Sequence, residues 1–262
     1  MSYKFDHAWE RERERLGKIE EALDPWTVRA IEATNPAPGW RCLEVGGGGG
    51  SIAEWLCERV GPTGRVVATD LEIRFLEVIE APNLEVRRHD VISDPLEEDC
   101  YDLIHTRAVL DHLPERDEVI PGLVAALRPG GWLVLEGGDF SSVRGVAGPE
   151  ADEEFFRSAF FSILEVSRSF GMDPVYGRRI GTVLRNAGLE RVHVEGLVLE
   201  WGADHPLAAL FDLTFQRLRD AALEKGVLTS GDYDRLLGLM RSPGFRALSH
   251  TVYAARGRRS AR

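Results

Sequence analysis

Apolar and polar positions change their spacing along residues 41–56. The run at 41–45 is short and mostly apolar, which is typical of a strand buried on both faces of a sheet. Five glycines follow at 46–50. Ser51 then precedes Ile52, Trp55 and Leu56, whose spacing predicts an amphipathic helix. The pattern therefore predicts a strand, a glycine turn and a helix.

The same alternation of apolar runs and helical segments continues along the chain. It predicts strands at 65–70, 84–88, 101–106, 127–136, 191–201 and 245–255. It predicts helices at 117–127, 151–170, 178–187, 206–225 and 232–240. Strands that alternate with helices over such distances indicate an α/β fold with a mostly parallel sheet and helices on both faces.

Residues 8–23 alternate glutamate and arginine, which favours a helix with opposite charges on neighbouring turns. We expect Asp24-Pro25 to end this helix and a second one to cover 27–33. The segment is either an exposed helix or, with Tyr3, Phe5 and Trp9, a cover over a ligand site. We divide the chain into an N-terminal helical cover at 1–38 and a ligand-binding domain at 39–262. The larger domain carries an inserted lid around 137–175 and a helical pair around 206–241.

Composition excludes several classes of protein. A chain of 262 residues with 44% hydrophobic and 29% charged residues can bury a full core. Its formal net charge of −11 argues against a nucleic-acid partner. The three cysteines show no paired spacing, and we expect no metal site. No run has the length and character of a signal peptide or membrane span, so we expect a cytoplasmic protein without a membrane partner.

Glycines between a strand and a helix let a ligand approach the backbone and the unpaired N–H groups of the helix start. A flexible linker is the other interpretation of such a run. Asp70 ends the second strand, where a carboxylate can accept hydrogen bonds from both ribose hydroxyls of a nucleoside. Gly48-x-Gly50-x-x-Ala53 also fits the dinucleotide pattern, so these residues leave NAD open.

Four turns are expected to meet at one edge of the sheet. Ligands of parallel α/β sheets bind beyond the carboxyl ends of the strands. The glycine turn, Asp70, Asp90 and Thr106 all lie at the carboxyl ends of predicted strands. We therefore expect one crevice at this edge.

The register Glu44-x-Gly46-x-Gly48-x-Gly50, together with Asp90 and the Leu-x-Pro-Gly-Gly sequence at 127–131, resembles the class I S-adenosylmethionine (SAM) dependent methyltransferases. The small-molecule branch with the ubiquinone and menaquinone methyltransferases is the most similar, over about 43–136. The resemblance implies a Rossmann-like seven-stranded sheet of order 3-2-1-4-5-7-6 with a helical cover. It also implies SAM as cofactor, bound by the following residues: Glu44, Gly46, Gly48, Gly50, Asp70, Leu71, Asp90, Val91 and Thr106.

Methyl transfer is an in-line displacement, so few catalytic residues are obligatory. A hydroxyl or acidic carbon acceptor requires a base. His112 and His105 are the candidates, and both could instead be packed structural residues. His205 and His250 are weaker candidates. Arg15 or Arg107 could pair with the carboxylate of SAM.

The sequence predicts transfer of a methyl group from SAM to a small-molecule acceptor at oxygen, nitrogen or activated carbon, in secondary or cofactor metabolism. One alternative is a SAM-binding protein that does not methylate, such as a cyclase or a regulatory subunit. Another is an NAD-dependent oxidoreductase, although a Tyr-x-x-x-Lys pair is not recognisable. We expect a small-molecule partner and leave a homodimer open.

Overall fold

Ten strands form two sheets in a computed structural model that describes residues 11–261. In chain order they are β1 (Arg41–Val45), β2 (Arg65–Asp70), β3 (Leu84–Arg88), β4 (Tyr101–Arg107), β5 (Leu127–Asp139), β6 (Arg144–Ala147), β7 (Glu190–Leu197), β8 (Glu200–Trp201), β9 (Arg246–Leu248) and β10 (Thr251–Arg258). The larger sheet has the order β3-β2-β1-β4-β5-β10-β7. Its first five strands are parallel, and β10 is antiparallel to both neighbours. The predicted seven-stranded order is confirmed.

Seven helices accompany the strands within the described residues. They are α1 (Glu12–Glu32), α2 (Ser51–Val60), α3 (Arg116–Ala126), α4 (Glu150–Ser169), α5 (Ile180–Asn186), α6 (Pro206–Glu224) and α7 (Ser230–Met240). Over residues 11–261, none of the helices combines the length and the apolar character that a bilayer crossing requires.

The core consists of one hydrophobic cluster on each face of the large sheet and a third cluster in a helical cover. Successive strand residues point to opposite faces, so Leu43 and Ile104 pack on one side while Cys42 and Leu103 pack on the other. The third cluster joins α4, α6 and α7 to the small sheet β6-β9-β8, with Trp201 among its members. The cover therefore has a core of its own.

The expected break at Asp24-Pro25 is wrong, because α1 runs through it as one helix. Proline removes one helical hydrogen bond, but both sides of Pro25 are held by the sheet. The Asp24 carboxylate pairs with Arg107 at 2.9 Å, and the Thr27 hydroxyl donates to Glu136 at 3.1 Å. Tertiary contacts outweigh the local signal. The aromatic residues proposed for the cover, Tyr3, Phe5 and Trp9, lie outside the described residues.

The strands predicted at 191–201 and 245–255 are each divided between the two sheets. Leu197 pairs with Val252 in the large sheet, whereas Glu200 pairs with Leu248 in the small one. Between these pairs, the backbone N–H of Leu199 donates to the Ser249 hydroxyl at 3.0 Å. The two segments thus pass from the large sheet to the small one side by side, next to Leu199 and Ser249. In the segment assigned to the inserted lid, β5 extends to Asp139 and β6 follows it.

A buried ionic triad links three adjacent strands below the carboxyl edge of the sheet. The Nδ1 atom of His105 lies 2.7 Å from Glu44 and its Nε2 atom lies 3.3 Å from Glu136. The three residues are 0%, 3% and 5% exposed, respectively. Burial alone would lower the pKa of His105, but the two carboxylates outweigh it and raise the pKa to about 9. The imidazole is therefore protonated at neutral pH.

We expect Trp201→Ala to destabilise the protein through the core of the cover. Trp201 is 1% exposed and contacts Phe156, Phe211 and Phe245. Loss of a buried indole costs about 3–5 kcal/mol of unfolding free energy, measurable by urea denaturation. Val198→Ala is the matched control, since Val198 is 45% exposed. Equal unfolding free energies for the two variants would contradict the packing described.

We also expect stability to depend on the protonation of His105. Because folding raises the pKa of His105 from 6.5 to about 9, its contribution is complete below pH 6.5 and is lost as the pH rises through 9. The unfolding free energy of the wild type should therefore fall across this window. Urea titrations of His105→Gln should show a flatter dependence there. Parallel curves for the two proteins would refute a charged triad.

Candidate functional site

A cavity of about 270 Å³ opens at the carboxyl edge of the large sheet. The carboxyl ends of the five adjacent parallel strands line it, as does one face of α1. The strand-end residues in its wall are 44–49, 70–72, 89–91, 107–109, 111–113 and 136–138. The sequence placed the glycine turn, Asp70 and Asp90 at one edge, and the structure brings them into one cavity.

The glycine turn needs glycine at alternate positions. Gly46, Gly48 and Gly50 have φ values of 71°, 55° and 95°, a region that residues with a Cβ rarely adopt. Gly46 has a second constraint, because a Cβ built there would lie 2.2 Å from Val109. The amides of Gly46 and Gly47 donate to the Thr69 carbonyl at 2.8 and 2.9 Å. The turn is thus fastened to the end of β2.

Asp70 and Asp90 are held beside this turn. The Asp70 carboxylate accepts from the amides of Gly48 at 3.0 Å and Glu72 at 3.1 Å. The amide of His89 donates to the Asp70 carbonyl at 3.0 Å, which joins the ends of β2 and β3. Asp90 accepts from the amide of Ile92 at 3.0 Å. Local backbone donors therefore fix both carboxylates at the cavity wall.

The other predicted cofactor residues divide into two groups. Glu44, Leu71 and Val91 line the cavity together with Gly46 and Gly48. Gly50 and Thr106 are outside the cavity wall: Gly50 is the N-cap of α2, and Thr106 is 1% exposed. Among residues 11–261, the Thr106 hydroxyl finds no hydrogen-bond partner. Their proposed roles in binding stay predictions.

The two candidate histidines occupy different environments. His105 is 0% exposed and lies beneath the cavity, where both of its ring nitrogens face carboxylates. His112 belongs to a short 3₁₀ turn at Leu110–His112 and lines the cavity. Burial lowers the pKa of His112, so its imidazole is neutral at neutral pH and can accept a proton. Of the two, only His112 reaches the cavity.

Arg15 and Arg107, proposed to pair with a carboxylate, both line the cavity. Arg15 contacts Glu12 at 2.7 Å, and Arg107 contacts Asp24 at 2.9 Å. Each arginine is thus engaged by an acid of α1 in this structure. Within the described residues, no group of three or more potential metal ligands is found.

The half of the cavity away from the strand ends is apolar, and most of its residues were not predicted from the sequence. Four phenylalanines that were not among the predicted site residues line the cavity: Phe140, Phe160, Phe211 and Phe215. Three of them, from α4 and α6, also belong to the core of the cover. The helical spacing of apolar residues in α6 was visible, but that pattern cannot separate a core face from a pocket face.

His250, a weak candidate for the catalytic base in the sequence, also lines this half. Its ring stacks on Phe140 with a centroid distance of 4.2 Å. Burial lowers the pKa of His250 to about 4, so the imidazole is neutral. His205, the other weak candidate, instead accepts from the amide of Leu207 at 3.1 Å and caps α6.

Comparison with known sequences finds similarity to methyltransferases. Residues 43–135 match a family described as "Methyltransferase domain". The ubiquinone/menaquinone biosynthesis C-methyltransferase UbiE of Pseudomonas putida (strain GB-1) is 30% identical over 118 residues, which are 42% of this chain and 46% of UbiE. The match therefore spans about half the length of that relative. Methyltransferase str3 of Strobilurus tenacellus is 26% identical over 196 residues, covering 74% of this chain and 68% of str3.

Solved structures share the fold at low identity. A putative methyltransferase from Bacillus halodurans (BH2331) has a TM-score of 0.58 and 16% identity, covering 89% of this chain and 98% of that one. Phosphoethanolamine N-methyltransferase 2 of Haemonchus contortus, solved with S-adenosyl-L-methionine, has a TM-score of 0.61 and 15% identity, covering 99% and 60%.

Three independent observations agree. The strand order is the one that the resemblance implied, the strand ends meet in one cavity, and the family match covers β1 to β5. Residues 43–135 therefore match a methyltransferase domain, and the chain shares the fold of solved methyltransferases.

Proposed function

We propose that this protein transfers a methyl group from SAM to a small apolar acceptor, in secondary or cofactor metabolism. The observation that carries the proposal is a single cavity with two unlike halves. One half is built from glycines and carboxylates at strand ends, and the other from aromatic side chains of the cover. A nucleoside cofactor fits the first half, and an apolar acceptor fits the second.

The residues present fit SAM. At Gly46 an added Cβ would lie 2.2 Å from Val109, so the turn can pack against the segment after β4 only with glycine at this position. In our proposal, residues 46–49 and Glu44 hold the amino-acid part of SAM. Asp70 accepts from the ribose hydroxyls, and Asp90 and Val91 contact the adenine. When bound, SAM supplies an electrophilic methyl group on a sulfonium.

The chain's own contribution to the reaction is positional. The apolar wall excludes water and confines the acceptor near the strand ends, which favours in-line attack. His112 is neutral because burial lowers its pKa, and it can take the proton of an acidic acceptor. His105 has no direct part in this proposal, since the sheet encloses it.

The cover completes the cavity in this proposal. The N-terminal unit at 1–38 contributes α1, whose residues Leu16, Ile19 and Leu23 line the cavity. The insertion around 137–175 contributes Phe140 and α4, and the helical pair around 206–241 contributes α6. We propose that these three segments together select the acceptor.

The direct test is calorimetric titration with SAM and S-adenosylhomocysteine, followed by incubation with methyl-labelled SAM and a broad panel of small acceptors. We expect micromolar binding of both nucleosides and labelled product from at least one acceptor. If neither SAM nor S-adenosylhomocysteine binds, the assignment of the cofactor is overturned. Binding without transfer to any acceptor would favour the alternative of a SAM-binding protein that does not methylate.

A substitution at Gly46 should separate cofactor binding from folding. Gly46→Ala places a methyl group 2.2 Å from Val109 at a φ of 71°, so we expect S-adenosylhomocysteine affinity to fall by about a hundredfold or more. Gly238→Ala in α7 is the matched control, because no described heavy atom lies within 4 Å of the added carbon. Unchanged affinity in Gly46→Ala would contradict the proposed role of the turn.

A further inference from the structure

Asp111 is a buried carboxylate that the fold leaves incompletely satisfied. The residue is 3% exposed and lines the cavity. Among residues 11–261, its Oδ1 atom has no hydrogen-bond partner. Buried carboxylates in proteins are normally paired or hydrogen-bonded, because an unpaired charge away from water is costly. Within the described part of the chain, this oxygen therefore has no hydrogen-bond donor.

The backbone that carries Asp111 is fixed. Its carbonyl accepts from the amide of Asp173 at 2.7 Å. The guanidinium of Arg116 donates to the carbonyl of Leu110 at 3.1 Å and to that of Gly171 at 2.6 Å. Three hydrogen bonds thus hold the turn between β4 and α3, so the backbone position of Asp111 is set before any ligand binds.

The charged groups around this turn are engaged elsewhere. Arg15 and Arg217 both contact Glu12, at 2.7 and 2.8 Å, and Arg116 is bound to carbonyls. The adjacent His112 is neutral because burial lowers its pKa. None of these contacts supplies a donor to Oδ1 of Asp111.

The surroundings of Asp111 in the cavity indicate the rest of the ligand. Phe140, Phe160, Phe211 and Phe215 form an apolar wall in the same cavity. A molecule that fills this space has an apolar body. The one feature it needs in addition, to satisfy the buried carboxylate, is a hydrogen-bond donor.

We propose that Asp111 binds the methyl acceptor by accepting a hydrogen bond from it, and that the acceptor is an apolar molecule with an O–H or N–H group. This inference rests on the proposed function and narrows it, because it disfavours acceptors without a donor. Hydroxyl and amine acceptors share this chemistry, and the experiment distinguishes them. Asp111 is then a specificity-determining residue of the acceptor half.

The test uses three probes of similar shape: para-ethylphenol, phenethylamine and ethylbenzene. Each is titrated by calorimetry into the full chain saturated with S-adenosylhomocysteine. We expect the wild type to bind one or both donor-bearing probes more tightly than ethylbenzene. Asp111→Leu should reduce that preference about tenfold to a hundredfold, because a hydrogen bond to a charged group is lost. Preference for the phenol or for the amine identifies the class of acceptor.

Two variants control for structure. Asp220→Asn, at an exposed position of α6 outside the cavity wall, should leave all three affinities unchanged. Asp111→Asn keeps the shape of the side chain and removes its charge, so amine affinity should fall at least about tenfold even if Asp111→Leu does not fold. If the amine is not the preferred probe, phenol affinity is read in the same variant.

A wild type without preference for a donor, or a preference that survives both substitutions at Asp111, would overturn this inference. The titration with S-adenosylhomocysteine is read separately. Its failure would remove the proposed function, whereas normal cofactor binding with indifferent probe binding would remove only the role of Asp111.

Discussion

The site depends on the attachment of the glycine turn to the end of β2. Amides at Gly46 and Gly47 share the carbonyl of Thr69, and the amide of Gly48 donates to the Asp70 carboxylate. These contacts require a chain that reverses its local handedness at alternate residues, which glycine does without a Cβ penalty. The same bonds that close the turn also orient Asp70. The backbone conformation of the glycine turn therefore also determines where the Asp70 carboxylate lies in the cavity wall.

The part of the fold that the sequence predicts is the part set by local signals. Apolar runs such as 41–45 and 65–70 are typical of strands buried on both faces, and their spacing indicates a parallel sheet with crossover helices. Convergence of Asp70 and Asp90 then follows from topology alone. The resemblance added the position of β10 between β5 and β7, which no local pattern contains.

The remainder depends on contacts between distant residues. The change of sheet near Leu199 and Ser249 needs both segments to meet, and each alone reads as one continuous strand. Pro25 lies inside a helix because Asp24 and Thr27 are tied to the sheet. The apolar part of the cavity was not predicted for a similar reason, since Phe211 and Phe215 in α6 have the spacing of any core face.

Phe160, Phe211 and Phe215 serve the interior of the cover and the cavity wall at once. A smaller side chain at any of the three enlarges the space for a ligand and also removes contacts that keep α4 and α6 together. Any change of ligand preference through these positions is therefore coupled to a loss of thermodynamic stability. Relatives that diverge in substrate are expected to carry compensating changes deeper in the cover.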